Sequence, residues 1–135
     1  MIEISNLKNA YSTLKKAYTD FSENQNSILA EYIADSCVKR FEYTLETAWK
    51  LVKKILIQKY GKTEQELTMN NLFRFMQGYG YTENWESWKN YYQQRNNSAH
   101  EYNIVKAREL ISIIPDFLTD TEFLIKKLDE DSNAD

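Results

Sequence analysis

Residues 34–60 read Ala34-Asp35-Ser36-Cys37-Val38-Lys39-Arg40-Phe41-Glu42-Tyr43-Thr44-Leu45-Glu46-Thr47-Ala48-Trp49-Lys50-Leu51-Val52-Lys53-Lys54-Ile55-Leu56-Ile57-Gln58-Lys59-Tyr60, with Gly61 next. Ala34, Val38, Phe41, Leu45, Ala48, Val52 and Ile55 recur at alternating steps of four and three, which is one face of a helix, and Trp49 and Leu56 widen that face. The pattern predicts a helix over about residues 28–60. Gly61 then supplies a left-handed stop, and Lys53, Lys54 and Lys59 suit the negative end of the helix dipole. So long an apolar seam is stable only when other elements cover it, and the neighbouring segments supply them.

On the N-terminal side, Ile4, Leu7, Tyr11, Leu14, Tyr18 and Phe21 predict a helix over about residues 3–22, ended by the polar run Ser22–Ser27. Beyond a connector at 61–68, Met69, Leu72, Phe73 and Met76 mark a short helix over about 69–77, closed by Gly78-Tyr79-Gly80-Tyr81. Thr82 or Asn84 can cap the next helix, which carries Trp85, Trp88, Tyr91 and Tyr92. Asn103 should cap a last one, reaching about Leu128 along Ala107, Ile111, Ile114, Leu118, Thr121, Ile125 and Leu128, with a kink at Pro115. The expected fold is all-α, an antiparallel up-and-down four-helix bundle with a short extra helix. One domain should span residues 1–128, followed by an acidic, disordered tail over 129–135.

Composition agrees. With 135 residues the chain fits one domain and can bury roughly two-thirds of its unfolded surface. Three Gly and one Pro leave little to punctuate a many-stranded sheet. A single cysteine, Cys37, rules out an internal disulfide and a multi-cysteine metal site, and it reads as a small packing residue. With one His and no clustered Cys, neither a structural metal nor a cofactor is expected. The start lacks the basic head and apolar run of a signal peptide, and no stretch approaches the roughly 18 apolar residues of a membrane span, so the expected compartment is the cytoplasm, away from membranes. A net charge of −3 argues against broad electrostatic binding of nucleic acid, although Lys89, Arg95, Lys106 and Arg108 gather near one segment.

That segment is Tyr91-Tyr92-Gln93-Gln94-Arg95-Asn96-Asn97-Ser98-Ala99-His100-Glu101-Tyr102, which holds the one histidine. Arg95 and His100 stand about 140° apart on an ideal helix, whereas Arg95 and Tyr102 nearly superimpose, as do Asn96 and His100. For Arg95 and His100 to meet, the helix must loosen or end between them, or a symmetric dimer must supply one group from each copy. A guanidinium grips phosphate in a fork and a histidine moves protons near neutral pH. Together they can cleave RNA without a metal, the ribose 2′-hydroxyl acting as nucleophile. The plain alternatives are a histidine that caps carbonyls and an ordinary solvated Arg/Asn surface. Glu42, Glu46 and Lys50 form a polar face on the long helix; a solvated charged face is the favoured reading, and lining the Arg/His site is the other. Trp85, Trp88, Tyr91 and Tyr92 could stack on bases, but their helical spacing favours core or dimer contact.

Arg95-Asn96-Asn97-Ser98-Ala99-His100-Glu101-Tyr102 matches the Arg-x4-His-x-Tyr pattern of the HEPN superfamily. Lys39–Lys53, with Arg40-Phe41-Glu42-Tyr43 followed by Ala48-Trp49-Lys50, resembles the long-helix signature of its nucleotidyltransferase substrate-binding branch. That branch supplies the HEPN partner of MNT/HEPN two-gene modules. The resemblance covers about residues 1–128. It implies a bundle that forms a homodimer with its motifs near the two-fold axis, and a minimal nucleotidyltransferase (MNT) as partner and antitoxin. It further implies a toxin that is a metal-independent endoribonuclease with RNA as substrate. Arg95 would bind phosphate, His100 would transfer the proton, and Tyr102 would be adenylylated by the partner to silence the toxin; Asn96 is a supporting candidate. The competing reading is a non-catalytic subunit that binds substrate for the nucleotidyltransferase. A third is a bundle that serves only to dimerise.

Overall fold

A computed structural model describes residues 2–100 and 103–134, the side chains of 98–100 and 134 excepted. In chain order it contains α1 (Ser5–Glu23), α2 (Ala30–Gln58), a single 3-10 turn (Glu64–Glu66), α3 (Met69–Gly78), α4 (Trp85–His100), α5 (Ile104–Ser112) and α6 (Ile114–Ala134), and no strand among the described residues. The fold is the expected all-α helical bundle, organised on α2.

All of the predicted α2 seam is buried, from Ala34 to Ile55, together with Cys37, Thr44 and Leu56. Along it lies α1, whose buried line is Leu7, Ala10, Leu14 and Ala17. Tyr11 and Tyr18, expected in that seam, stand at its flank, and the Tyr11 hydroxyl donates to Glu122 at 3.2 Å. Small residues on α1 bring the two backbones close. The Thr44 hydroxyl therefore reaches the Ala10 carbonyl at 3.2 Å, and the Cys37 thiol donates to that of Ala17 at 3.2 Å. Burial, with Asp20 adding its charge, pushes the Cys37 thiol up to about 11, so at neutral pH it packs as a thiol.

At the C-terminal end of α3 the chain stops on Gly80, at φ 85°. Gly80 N–H bonds the Gln77 carbonyl at 3.0 Å and Tyr81 N–H that of Met76 at 2.8 Å, a left-handed stop a side chain would strain. Tyr81 is thereby delivered into the core. Of the two expected caps on α4, Asn84 takes the role, accepting from the Glu86 N–H at 3.0 Å, while Thr82 accepts from Asn84 N–H at 3.2 Å. Asn103 caps α5 as expected, accepting from Lys106 N–H at 2.9 Å.

Two expectations for the last helix are corrected. It is not one kinked rod: it stops at Ile113 and restarts as α6. Pro115 has no N–H to give the Ile111 carbonyl and its ring crowds that carbonyl, so the chain takes a tight turn, Ile113 N–H bonding Leu110 at 3.1 Å. Its buried line is Ala107, Leu110, Ile114, Phe117, Thr121, Leu124 and Leu128, with Ile111 beside it; Leu118 and Ile125 are only partly buried. Nor does the acidic segment fray at Leu128, because α6 continues to Ala134. Its carboxylates find partners: Asp129 pairs with Lys8 at 2.9 Å, and Asp131 accepts from the Tyr81 hydroxyl at 2.5 Å and lies 3.5 Å from Lys59.

Phe117 is the hub of the core. Its ring meets Phe41 of α2 at 4.8 Å, Tyr91 of α4 at 5.1 Å and Trp88 of α4 at 5.7 Å, all edge to face. Phe117→Ala should cost about 3–5 kcal/mol, the range for large-to-alanine core changes. Equilibrium urea unfolding of the variant should show a lower midpoint with an unchanged slope.

Candidate functional site

The hub fixes α4 against α2, and beside it the two helices leave a hollow of about 220 Å³ lined by Glu42, Leu45, Glu46, Trp49, Tyr92 and Arg95. On α2, Glu42, Glu46 and Trp49 lie within about 60° of one another on the helix wheel, so one face carries all three. Tyr92 and Arg95 are three residues apart on α4 and point the same way. Tyr92 is held by an edge contact to Phe73 at 6.1 Å, and Trp49 packs partly buried against the core.

The Arg95 Nε lies 3.9 Å from Glu42 Oε2, a loose ion pair, and its Nη1 donates to Asn96 Oδ1 at 3.5 Å. Lys50 Nζ sits 2.9 Å from Glu46 Oε1 and 5.8 Å from the centre of the Trp49 ring. The Glu46 carboxyl is held below the usual carboxylate range, first by the Lys50 hydrogen bond and charge, with a smaller contribution from Arg95. Glu42 and Glu46 are thus not a merely solvated face: both are partly buried beside Arg95. Lys50 stays on the rim with its side chain 59% exposed.

Of the two routes by which Arg95 and His100 could meet, the backbone does not take the first. Between Arg95 and His100 the helix neither loosens nor ends; α4 is regular from Trp85–His100. The two positions therefore stay about 140° apart around one helix. Neither the imidazole of His100 nor any part of Tyr102 falls within the described residues. Two nearby cations turn elsewhere: Lys89 lies over the Trp85 ring at 5.7 Å, and Arg108 lines another hollow with Tyr18, Phe21 and Ile111. Trp88 and Tyr91 are core residues, and the Tyr91 hydroxyl donates to Asp120. Trp49 and Tyr92, which periodicity assigns to packing, belong to this hollow. Their offsets from Glu46 and Arg95, three residues each, were the signal for it. Among the described residues no group of three or more His, Cys, Asp or Glu side chains is placed to hold a metal ion, nor is any helix there long and apolar enough to cross a membrane.

A helical bundle whose fourth helix ends in Arg95–His100 is of the HEPN kind. The sequence model of the family described as "Nucleotidyltransferase substrate binding protein like" matches residues 2–130, and the chain belongs to that family. Among curated proteins it is 23% identical to the "Probable ribonuclease HepT" of Haemophilus influenzae over 141 residues, spanning 99% of this chain and 97% of that one. Its fold is similar to a Haemophilus influenzae structure described as a substrate binding domain of a nucleotidyltransferase. The TM-score there is 0.84 at 23% identity, with 93% of this chain and 98% of that chain covered. A Thermus thermophilus structure is similar at a TM-score of 0.66 and 24% identity, covering 85% of this chain and 98% of that one.

Lys50→Met should raise the Glu46 midpoint towards its ordinary value of 4.5, since the leading cause of its depression is removed. Carboxyl-carbon NMR titration of the two proteins checks this; an unmoved midpoint would reject the Lys50 assignment.

Proposed function

We propose that this chain is the toxin of an MNT/HEPN toxin–antitoxin module, a metal-independent endoribonuclease silenced by a small nucleotidyltransferase. The observation that carries the reading is the intact Arg95-x4-His100-x-Tyr102 pattern in the sequence, with Arg95 and His100 in the last turns of α4. The end-to-end likeness to a relative named as a probable ribonuclease supports it.

In this reading two copies pair about a two-fold axis near the C-terminal end of α4. Because α4 is regular, one copy supplies Arg95 and the other His100 to the same phosphate. Arg95 holds two phosphate oxygens and stabilises the charge that grows on them. The RNA 2′-hydroxyl attacks the adjacent phosphorus, His100 transfers the proton, and the 5′-oxygen leaves, giving a 2′,3′-cyclic phosphate and a 5′-hydroxyl. Asn96, bonded to Arg95, orients the guanidinium. Silencing follows when the Tyr102 phenol attacks the α-phosphorus of ATP on the partner enzyme and pyrophosphate leaves. The added AMP puts bulk and negative charge beside Arg95 and keeps an RNA phosphate out. The proposed compartment is the cytoplasm.

The second reading, a non-catalytic subunit that presents substrate to a nucleotidyltransferase, is favoured by the description of the family itself. Purified protein in EDTA separates the two. The toxin reading expects RNA cleavage that falls at least about 100-fold in Arg95→Ala and in His100→Ala. It also expects AMP mass on Tyr102 after incubation with the partner and ATP. Absence of cleavage together with a stable nucleotidyltransferase complex would establish the second reading instead.

A further inference from the structure

We propose that the hollow between α2 and α4 is a nucleobase subsite, built to hold a guanine of the RNA next to the phosphate gripped by Arg95. The inference rests on the ribonuclease reading, and three features of the hollow carry it.

The first is charge. The walls bear Glu42 and Glu46 against Arg95, with Lys50 bonded to Glu46 on the rim, so positive and negative groups balance. A phosphate drawn inside would meet two carboxylates, whereas a neutral base carries no net charge for them to repel. The parts of a nucleotide are thereby sorted: phosphate to the outer edge of the guanidinium, base to the interior.

The second is the walls themselves. Trp49 and Tyr92 come from different helices, both partly buried and both braced by the core, Tyr92 through Phe73. Rings fixed in this way can stack on a base without first losing rotamer freedom. At about 220 Å³ the hollow is smaller than the roughly 300–1,000 Å³ of drug-sized ligand sites, and it suits one planar ring system.

The third is hydrogen bonding. An ionised carboxylate only accepts. Guanine alone among the four RNA bases offers two adjacent donors on its pairing edge, the ring N–H and the exocyclic amine, matching a carboxylate two bonds to two. Adenine and cytosine set their amine beside an acceptor nitrogen, and uracil flanks its single N–H with two carbonyls, so each turns a lone pair towards the acid. Glu46 is the carboxylate assigned to this contact: Lys50 takes one of its lone-pair sites, at Oε1, and the rest of its roughly four acceptor sites can receive two further donors.

The experiment has two arms. Short RNAs of one sequence, differing only in the base at a single cut site, are cleaved by the wild type, Glu46→Gln and Trp49→Ala. Separately, guanosine, adenosine, cytidine and uridine 5′-monophosphates are titrated calorimetrically into the same proteins and into His100→Ala. The proposal expects guanine to be preferred by about tenfold or more in both arms. Glu46→Gln should erase the preference, bringing cleavage of the guanine RNA to the level of the other three. Trp49→Ala should weaken binding of every nucleotide about tenfold or more, and His100→Ala should keep the guanine preference. Cleavage with no base preference, or a preference that survives Glu46→Gln, overturns the subsite while leaving the ribonuclease reading intact. Guanosine monophosphate bound selectively by a protein that cuts no RNA overturns the ribonuclease reading and upholds the base site. Neither cleavage nor binding overturns both.

Discussion

Phe117 meets three aromatic rings on two other helices, and the way Tyr92 and Arg95 face α2 follows from that junction. The ring joins α6 to Phe41 on α2 and to Trp88 and Tyr91 on α4. Each such edge-to-face pair adds about 0.5–1.5 kcal/mol beyond the area it buries, and here the pairs also set the rotation of α4 about its own axis. With Tyr91 turned inward, Tyr92 and Arg95 face the acidic side of α2. Phe117 itself is brought into line by the turn at Ile113, which a proline two residues later makes necessary. A missing backbone donor on one helix is thus connected, through packed rings, to the aim of an arginine on another.

Near Phe117 the sequence was readable in kind but ambiguous in phase. Between residues 107 and 128 two apolar lines run at helical steps, one through Ile111, Leu118 and Ile125, the other through Leu110, Phe117 and Leu124. Periodicity cannot choose between them, because both alternate threes and fours; only the facing rings of Phe41 and Trp88 decide. The α2 seam had no such rival and was read correctly along its whole length. The stop at Gly61 and the cap at Asn103 were equally plain, since each depends on local chemistry alone, whereas the choice of Asn84 over Thr82 and of Gly80 over Gly78 came from the structure. The acidic end misled because its charges looked solvated in sequence, while its partners Lys8, Lys59 and Tyr81 are far away along the chain.

The site shows a similar division. Arg95 was identifiable by type and spacing, and Glu42 and Glu46 by their shared helical face. That the guanidinium stands beside those carboxylates is a tertiary fact, fixed by how α4 crosses α2. Net charge was a poor guide to it: a molecule at −3 keeps a nearly balanced hollow around its one motif arginine, because the excess acid lies elsewhere, much of it near the end of α6. The HEPN bundle supplies the frame, and the face that Glu42, Glu46 and Trp49 share lines the hollow beside Arg95.

The ion pair between Lys8 and Asp129 has a topological consequence. It brings the first turns of α1 and the last turns of α6 to the same end of the bundle, 2.9 Å apart at the charged atoms. The helices therefore form a nearly closed circuit, with the first turn of α1 beside the last turns of α6. A short linker across that end, with a new opening in the polar segment between α1 and α2, would permute the order of the helices while leaving the Phe117 junction and the Arg95 hollow in place.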